Sequence, residues 1–179
     1  MNNPLVTIYI TSHNYEDYIA EAIESVLNQT YRNIEIIIFD DNSSDNSLHI
    51  IREFQKNNNI TCISSKKKNG LRKASNECIK AASGEYVLRL DADDILNANC
   101  ISNMVKNIER SSCKPKFIFS NYFYVDASSE VLGVELIHRS DGGYHAHSIP
   151  PHGACCLISK DVFDKYGYYN ESDGCRNCC

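Results

Sequence analysis

Tyr86-Val87-Leu88-Arg89-Leu90, followed at once by Asp91-Ala92-Asp93-Asp94, is the stretch on which the fold turns. The first five residues have the length and apolar character of a buried strand, and the acids that follow end it. Just upstream, Leu71, Ala74, Cys78, Ile79 and Ala82 mark one face of a helix that stops at Ser83-Gly84. Downstream, Ile101, Met104, Val105 and Ile108 mark another, before a predicted strand over Phe117–Tyr124. The same rhythm runs back to the N-terminus. Leu5–Ile10, Ile34–Phe39 and the weaker Ile60–Ile63 read as strands. Ile19, Ala22, Ile23, Val26 and Leu27 fall at helical spacing, with Asn14 or Asp17 able to cap that helix. Ser43, Ser44 or Asp45 starts a second helix carrying Leu48, Ile51 and Phe54.

Strict alternation of short apolar strands with amphipathic helices predicts an α/β protein with a parallel, doubly wound sheet. Beyond Asp126 the rhythm loosens. Val131–Ile137 and Ala154–Ile158 read as strands, Gly142–Pro151 as a loop, and Ser159 to Tyr166 as a short helix stopped by Gly167. Without repeats or linkers, residues 1–179 form a single expected domain.

The chain has 179 residues, 42% hydrophobic and 23% charged, which suits one globular core. A net charge of -5 gives no electrostatic ground for a nucleic-acid partner. Lys66-Lys67-Lys68 reads as a solvated loop. Met1-Asn2-Asn3-Pro4 lacks a basic n-region, and no apolar run approaches the roughly 20 residues of a membrane span. A cytoplasmic location follows as the expectation, with reduced thiols for the nine cysteines. Cys175, Cys178 and Cys179 have only part of a zinc-ligand spacing.

In doubly wound sheets ligands bind at the carboxyl ends of the strands. Asp40-Asp41 follows the second strand, and Asp91, Asp93 and Asp94 follow the fourth. So many carboxylates at one sheet edge repel one another unless a cation or hydrogen-bond donors are held there. Capping and turn formation is the plain alternative. An Asp-x-Asp at a strand end suits Mg²⁺ or Mn²⁺, held by one or two carboxylates and by substrate phosphates.

Several stretches, in this order and spacing, resemble family-2 glycosyltransferases of the GT-A fold, a Rossmann-like, mostly parallel sheet flanked by helices. They are Val6 to Asn14, Ala22 to Thr30, Asp40-Asp41-Asn42-Ser43-Ser44-Asp45, Asn69-Gly70 with Ala74 and Asn76, and Gly84-Glu85-Tyr86 running into Leu90-Asp91-Ala92-Asp93-Asp94. The resemblance implies transfer of a sugar from a nucleoside-diphosphate donor, a UDP-sugar by preference, to a saccharide or lipid-linked acceptor, as in polysaccharide biosynthesis. It also implies an inverting, metal-dependent reaction, and allows peripheral association at the inner face of a membrane.

By position, the resemblance places Thr7, Ser12 and Asn14 near the nucleotide at the end of the first strand. It gives Asp41 the base N–H, Asp91 the ribose or the metal's water shell, and Asp93 direct metal ligation. Arg72 approaches the base or diphosphate, or else lies in solvent. His152 falls on the acceptor side. The family's usual acidic pair near the C-terminus is not recognisable here. Asp173 is the candidate base, or the base lies beyond a C-terminally truncated chain, or transfer activity is absent.

Three other readings compete with this one. A dinucleotide-binding dehydrogenase fails because Thr11–Tyr15 contains no glycine. A phosphatase using Asp91 and Asp93 leaves Asp40-Asp41 and Asn69–Asn76 without a role. A non-catalytic nucleotide-sugar-binding module remains as the alternative.

Overall fold

The computed structural model describes residues 3–126, 130–135 and 155–172. Strand β1 (Val6–Ser12) lies at the centre and pairs in parallel with β2 (Ile34–Asp40) and β4 (Tyr86–Asp91). Strand β3 (Ile60–Ser64) extends the parallel set beyond β2. On the other side β8 (Cys156–Ser159) runs antiparallel to both β4 and β5 (Phe117–Phe119). The sheet order is β3-β2-β1-β4-β8-β5, beside a separate ribbon of β6 (Tyr122–Val125) and β7 (Val131–Glu135). The sheet is therefore mostly parallel.

Alternation along the strands splits the core into two faces. Val6, Ile8 and Ile10 of β1 face Ile23 and Val26 of α1 (Ile19–Leu27), Ile51 of α2 (Ser47–Asn57) and Ile101 and Val105 of α4 (Cys100–Arg110). Tyr9, Ile37, Phe39 and Val87 face the opposite way. They pack on Ala74, Cys78 and Ile79 of α3 (Leu71–Ala81) and on Phe163 of α5 (Asp161–Tyr166). Helices on both faces give each strand the near-continuous apolar run seen in the sequence.

Local chemistry moves some boundaries. The expected strand over Phe117–Tyr124 is two strands in two sheets, because the polar Ser120-Asn121 breaks the run and Ser120 Oγ bonds to the Cys155 carbonyl. Neither Asn14 nor Asp17 caps α1, whose N-cap position is Tyr18. Helix α2 starts at Ser47 rather than at residues 43–45. Those residues instead lace the turn after β2 to the turn after β1. Asn14 Oδ1 accepts from Ser44 N at 2.8 Å, and Asp45 accepts from Glu16 N at 3.0 Å. Gly167 ends α5 as expected, at φ 92.

Among the described residues six cysteines are free and no helix is long and apolar enough to cross a membrane. Asp173, His152, the 142–151 loop and Cys175, Cys178 and Cys179 lie outside the described residues.

Candidate donor site

The chain runs outward from β1 to β2 to β3, then crosses back to place β4 on the other side of β1. That reversal opens a crevice at the carboxyl ends of β1 and β4. The pairing register puts Ser12 beside Asp40 and Thr11 beside Asp91 at this edge. A cavity of about 270 Å³ lies there. Thr11, Ser12, His13 and Tyr15 line it from β1 and the following turn, and Asp41 from the end of β2. Lys68, Gly70, Leu71 and Ala74 contribute from the approach to α3, and Asp91, Ala92 and Asp93 from the end of β4.

Asp41 is buried, and its carboxylate is held by the loop before α3. Oδ1 accepts from Asn69 N at 2.7 Å and from its Nδ2 at 3.2 Å, while Oδ2 accepts from Gly70 N at 2.7 Å. The Asp41 backbone is pinned as well, its N–H donating to Ser12 O at 2.8 Å and its carbonyl accepting from His13 Nδ1 at 2.9 Å. Three bonds leave a carboxylate one of its roughly four acceptor positions. Asp41 thus both fixes the loop that presents Lys68 and keeps one acceptor position for a ligand.

Asp91 meets a different partner. Arg89, two residues earlier on the same strand face, places Nε 2.9 Å from Oδ1 and donates from Nη2 to Oδ2 at 3.3 Å. The Nε contact is a charge contact rather than an aligned hydrogen bond, since that N–H finds no acceptor. Asp93 is exposed at the cavity and makes no hydrogen bond or ion pair with the described residues. Tyr15 closes the edge: burial pushes its phenol up, and the charges of Asp93, Asp91 and Asp94 push it further.

The crowding of carboxylates expected to demand a cation is therefore partly relieved by the protein. Asp41 is satisfied by N–H donors and Asp91 by a guanidinium. Asp93 is the cavity carboxylate without a protein partner among the described residues. Among the described residues no group of three or more His, Cys, Asp or Glu side chains could hold an ion. Mg²⁺ and Mn²⁺ can be held by one or two protein oxygens, with water and phosphate completing the shell. Two further buried polar atoms at this strand edge have no partner: Asp40 Oδ1, and Ser12 Oγ, which lines the cavity. A hydroxyl left unpaired in this position is suited to a ligand hydroxyl or carbonyl.

Some expected site residues are elsewhere. Thr7 is the second residue of β1, at the opposite end of the sheet from the cavity. Its fully buried hydroxyl donates to Glu35 Oε2 at 2.5 Å and accepts from Gly84 N at 3.0 Å, a structural clip. Thr7→Val is expected to cost about 1–3 kcal/mol of stability through those lost bonds, with nucleotide affinity unchanged. Thermal melts with and without UDP check this. Asn14 is spent on the Ser43–Ser44 turn, its backbone at φ 62, and does not line the cavity. Arg72 is half-buried on the first turn of α3 and does not line it either.

Other lining residues were not singled out from the sequence. Lys68 belongs to the run read as a solvated loop, and its place beside Asn69-Gly70 was the available clue. His13 and Tyr15 follow directly on Ser12. Arg89 was visible as a lone charge within an apolar strand, two residues from an aspartate. Asn76 acts at a distance from the cavity: Nδ2 donates to Tyr169 O and Glu171 Oε1, both at 2.8 Å, so α3 anchors the segment after α5.

Comparison with known proteins agrees with this architecture. The model of Glycosyl transferase family 2 matches residues 7–167. Glycosyltransferase GlyG of Streptococcus pneumoniae is 34% identical over 93% of this chain and 60% of its own length. The Escherichia coli glucosyltransferase WfaP, named for UDP-Glc and α-D-GlcNAc-diphosphoundecaprenol, is 40% identical over 73% of this chain and 50% of its own. The chain thus spans only about half to three-fifths of these relatives. The S. aureus TarS 1-349 structure with UDP superposes with TM-score 0.80 at 17% identity, covering 97% of this chain and 52% of that one. The likeness in structure establishes the GT-A fold, and the match to the family model over most of the sequence establishes that the chain belongs to glycosyltransferase family 2.

Proposed function

We propose that this chain carries the donor site of a metal-dependent, inverting glycosyltransferase that takes a UDP-sugar. The observation that carries the reading is the switch-point cavity itself. It joins an anchored acceptor (Asp41), an unpaired buried hydroxyl (Ser12) and a lysine with the uncommitted carboxylate of Asp93. Asp41 retains an acceptor position for the imide N–H of uracil. Lys68 supplies positive charge toward a nucleotide. The Ser12 hydroxyl and Asp91 face the ribose. When bound, the divalent ion neutralises the diphosphate as leaving group. Relatives named for UDP-Glc, and a fold neighbour solved with UDP, support a uridine donor.

Transfer makes a bond between the acceptor hydroxyl oxygen and the anomeric carbon and breaks the bond from that carbon to the diphosphate. The hydroxyl proton passes to a carboxylate. We assign that base to Asp173, two residues beyond the segment that Asn76 pins to α3. The acceptor is a saccharide or lipid-linked saccharide, met on the side of His152. WfaP supports the lipid-linked form.

Metal-dependent thermal stabilisation across UDP, ADP and GDP tests the reading. UDP is expected to stabilise best, because Asp41 offers an acceptor to an N–H that adenine does not present in the same place. Equal shifts for all three would refute the base pairing. Lys68→Ala is expected to weaken UDP binding about tenfold by removing a charge-assisted contact. Titration calorimetry measures this, and unchanged affinity would return Lys68 to the solvated loop.

A further inference from the structure

We propose that Arg89 is a positioning residue of the donor site: it fixes the Asp91 carboxylate and cancels its charge, leaving Asp93 as the uncompensated acid that faces a metal ion. The proposal rests on the donor reading above.

Three observations carry it. The Arg89 side chain is 12% exposed and its partner Asp91 31%, so the pair reaches from the sheet interior to the cavity wall. Asp91 Oδ2 accepts from Nη2 at 3.3 Å, and Nε lies 2.9 Å from Oδ1 in a charge contact, so one hydrogen bond and one close charge hold the carboxylate. The Arg89 main chain is also fixed. Its backbone carbonyl accepts from Cys155 N at 3.0 Å, and its register partner on β1 is the buried Tyr9. Burial pushes the phenols of Tyr9 and Tyr169 up, and the nearby Arg89 charge pulls both partly back.

A buried ion pair adds little stability compared with apolar residues of the same volume, because desolvation offsets the attraction. Position 89 lies on the face where Val87 packs into the core, so an apolar side chain would suit the fold. The cation is therefore better explained by the site. Two free carboxylates at Asp91 and Asp93 would hold a cation strongly by themselves and repel a diphosphate. One carboxylate fixed and neutralised, with one left free, favours the ion together with its nucleotide.

Mn²⁺ binding measured alone by electron paramagnetic resonance, and UDP binding measured by NMR in EDTA, test this. In Arg89→Met, Asp91 is unpaired, so Mn²⁺ alone should bind about tenfold more tightly and metal-free UDP about tenfold more weakly, by ordinary charge–charge interaction. Arg89→Lys keeps the charge and should stay within about twofold of wild type for Mn²⁺ alone. The pair Arg89→Met with Asp91→Asn removes both charges and should return Mn²⁺ affinity to the wild-type value. Should Arg89→Met fail to fold, Asp91→Asn gives the mirror image, with weaker Mn²⁺ and stronger metal-free UDP binding.

Unchanged Mn²⁺ affinity in folded Arg89→Met, or in Asp91→Asn, overturns the proposal. A wild-type protein that binds no UDP would sink the donor reading instead, while the Mn²⁺ series would still judge Arg89.

Discussion

Asp93→Ala is expected to remove the metal-dependent part of nucleoside-diphosphate binding, a loss on the order of 100-fold in UDP affinity at saturating Mn²⁺. The expectation follows from how the neighbouring carboxylates are occupied. Asp41 accepts three hydrogen bonds from Asn69 and Gly70, and both oxygens of Asp91 face Arg89. Neither can turn to a metal ion without breaking what it already holds. Asp93 is exposed, lines the same cavity and has no competing partner among the described residues. Because it supports nothing in the fold, its removal should leave the melting temperature nearly unchanged, as for other surface substitutions within about 0.5 kcal/mol. A binding defect without a stability defect is therefore the diagnostic result. Calorimetry in Mn²⁺ and again in EDTA separates the two contributions. The same affinity and the same metal dependence in wild type and Asp93→Ala would show that the ion, if bound, is held elsewhere.

The central sheet was legible because its physics is local. Short apolar runs such as Ile34–Phe39 and Tyr86–Leu90 are buried on both faces, so each declares itself as a strand without help from its neighbours. Order and direction beyond β4 were not legible. Cys156–Ser159 joins antiparallel, and nothing within four residues encodes the direction in which a strand enters a sheet. Ser120-Asn121 was a visible break inside an apolar run, yet a run of eight residues reads as one strand until the chain is seen to leave the sheet.

The site was legible where a residue type has few other uses. Asp91, Asp93 and Asp41 could be placed at strand ends from pattern alone, and the fold brings them to one cavity. Thr7 was misplaced because the motif around it runs the whole length of a strand. Seven residues put its two ends about 20 Å apart, so a residue at the start cannot share a ligand with one at the end. Asn14 failed for another reason. A side chain that can bond a ligand can equally bond a turn, and here Ser44 N occupies its oxygen. Lys68 was hidden in a run of three lysines. Only the clamp of Asp41 on Asn69 and Gly70 distinguishes it from Lys66 and Lys67, and that clamp joins residues 28 and 29 positions apart.

Gly84→Ala is the substitution expected to damage the fold most, and it explains the glycine of Gly84-Glu85-Tyr86 without any appeal to function. A Cβ at this position would lie 2.6 Å from the Thr7 backbone nitrogen, 2.6 Å from Thr7 Oγ1 and 2.8 Å from the Tyr86 carbonyl. Two of these three atoms are backbone. Thr7 belongs to the central strand, paired on both sides, with Glu35 opposite it in β2 and Val87 in β4. It cannot retreat without opening one ladder or the other. The Thr7 hydroxyl also accepts from Gly84 N and donates to Glu35, so the same movement would break the clip that closes this end of the sheet. Overpacking with no room to relax costs about 3 kcal/mol. In a chain of this size each kcal/mol lowers the melting temperature by roughly 2–4 °C, so a fall of roughly 6–12 °C is expected. Gly133→Ala provides the control, since its nearest neighbour would be 3.9 Å away, in ordinary contact with the Tyr124 ring. That variant should melt close to wild type. Gly84 also lies at the opposite end of the sheet from the cavity, so the fraction of Gly84→Ala that remains folded should bind UDP normally. A melting temperature equal to that of Gly133→Ala would mean that β1 and β4 can separate at this end, and that the close approach at Gly84 is not what selects glycine there.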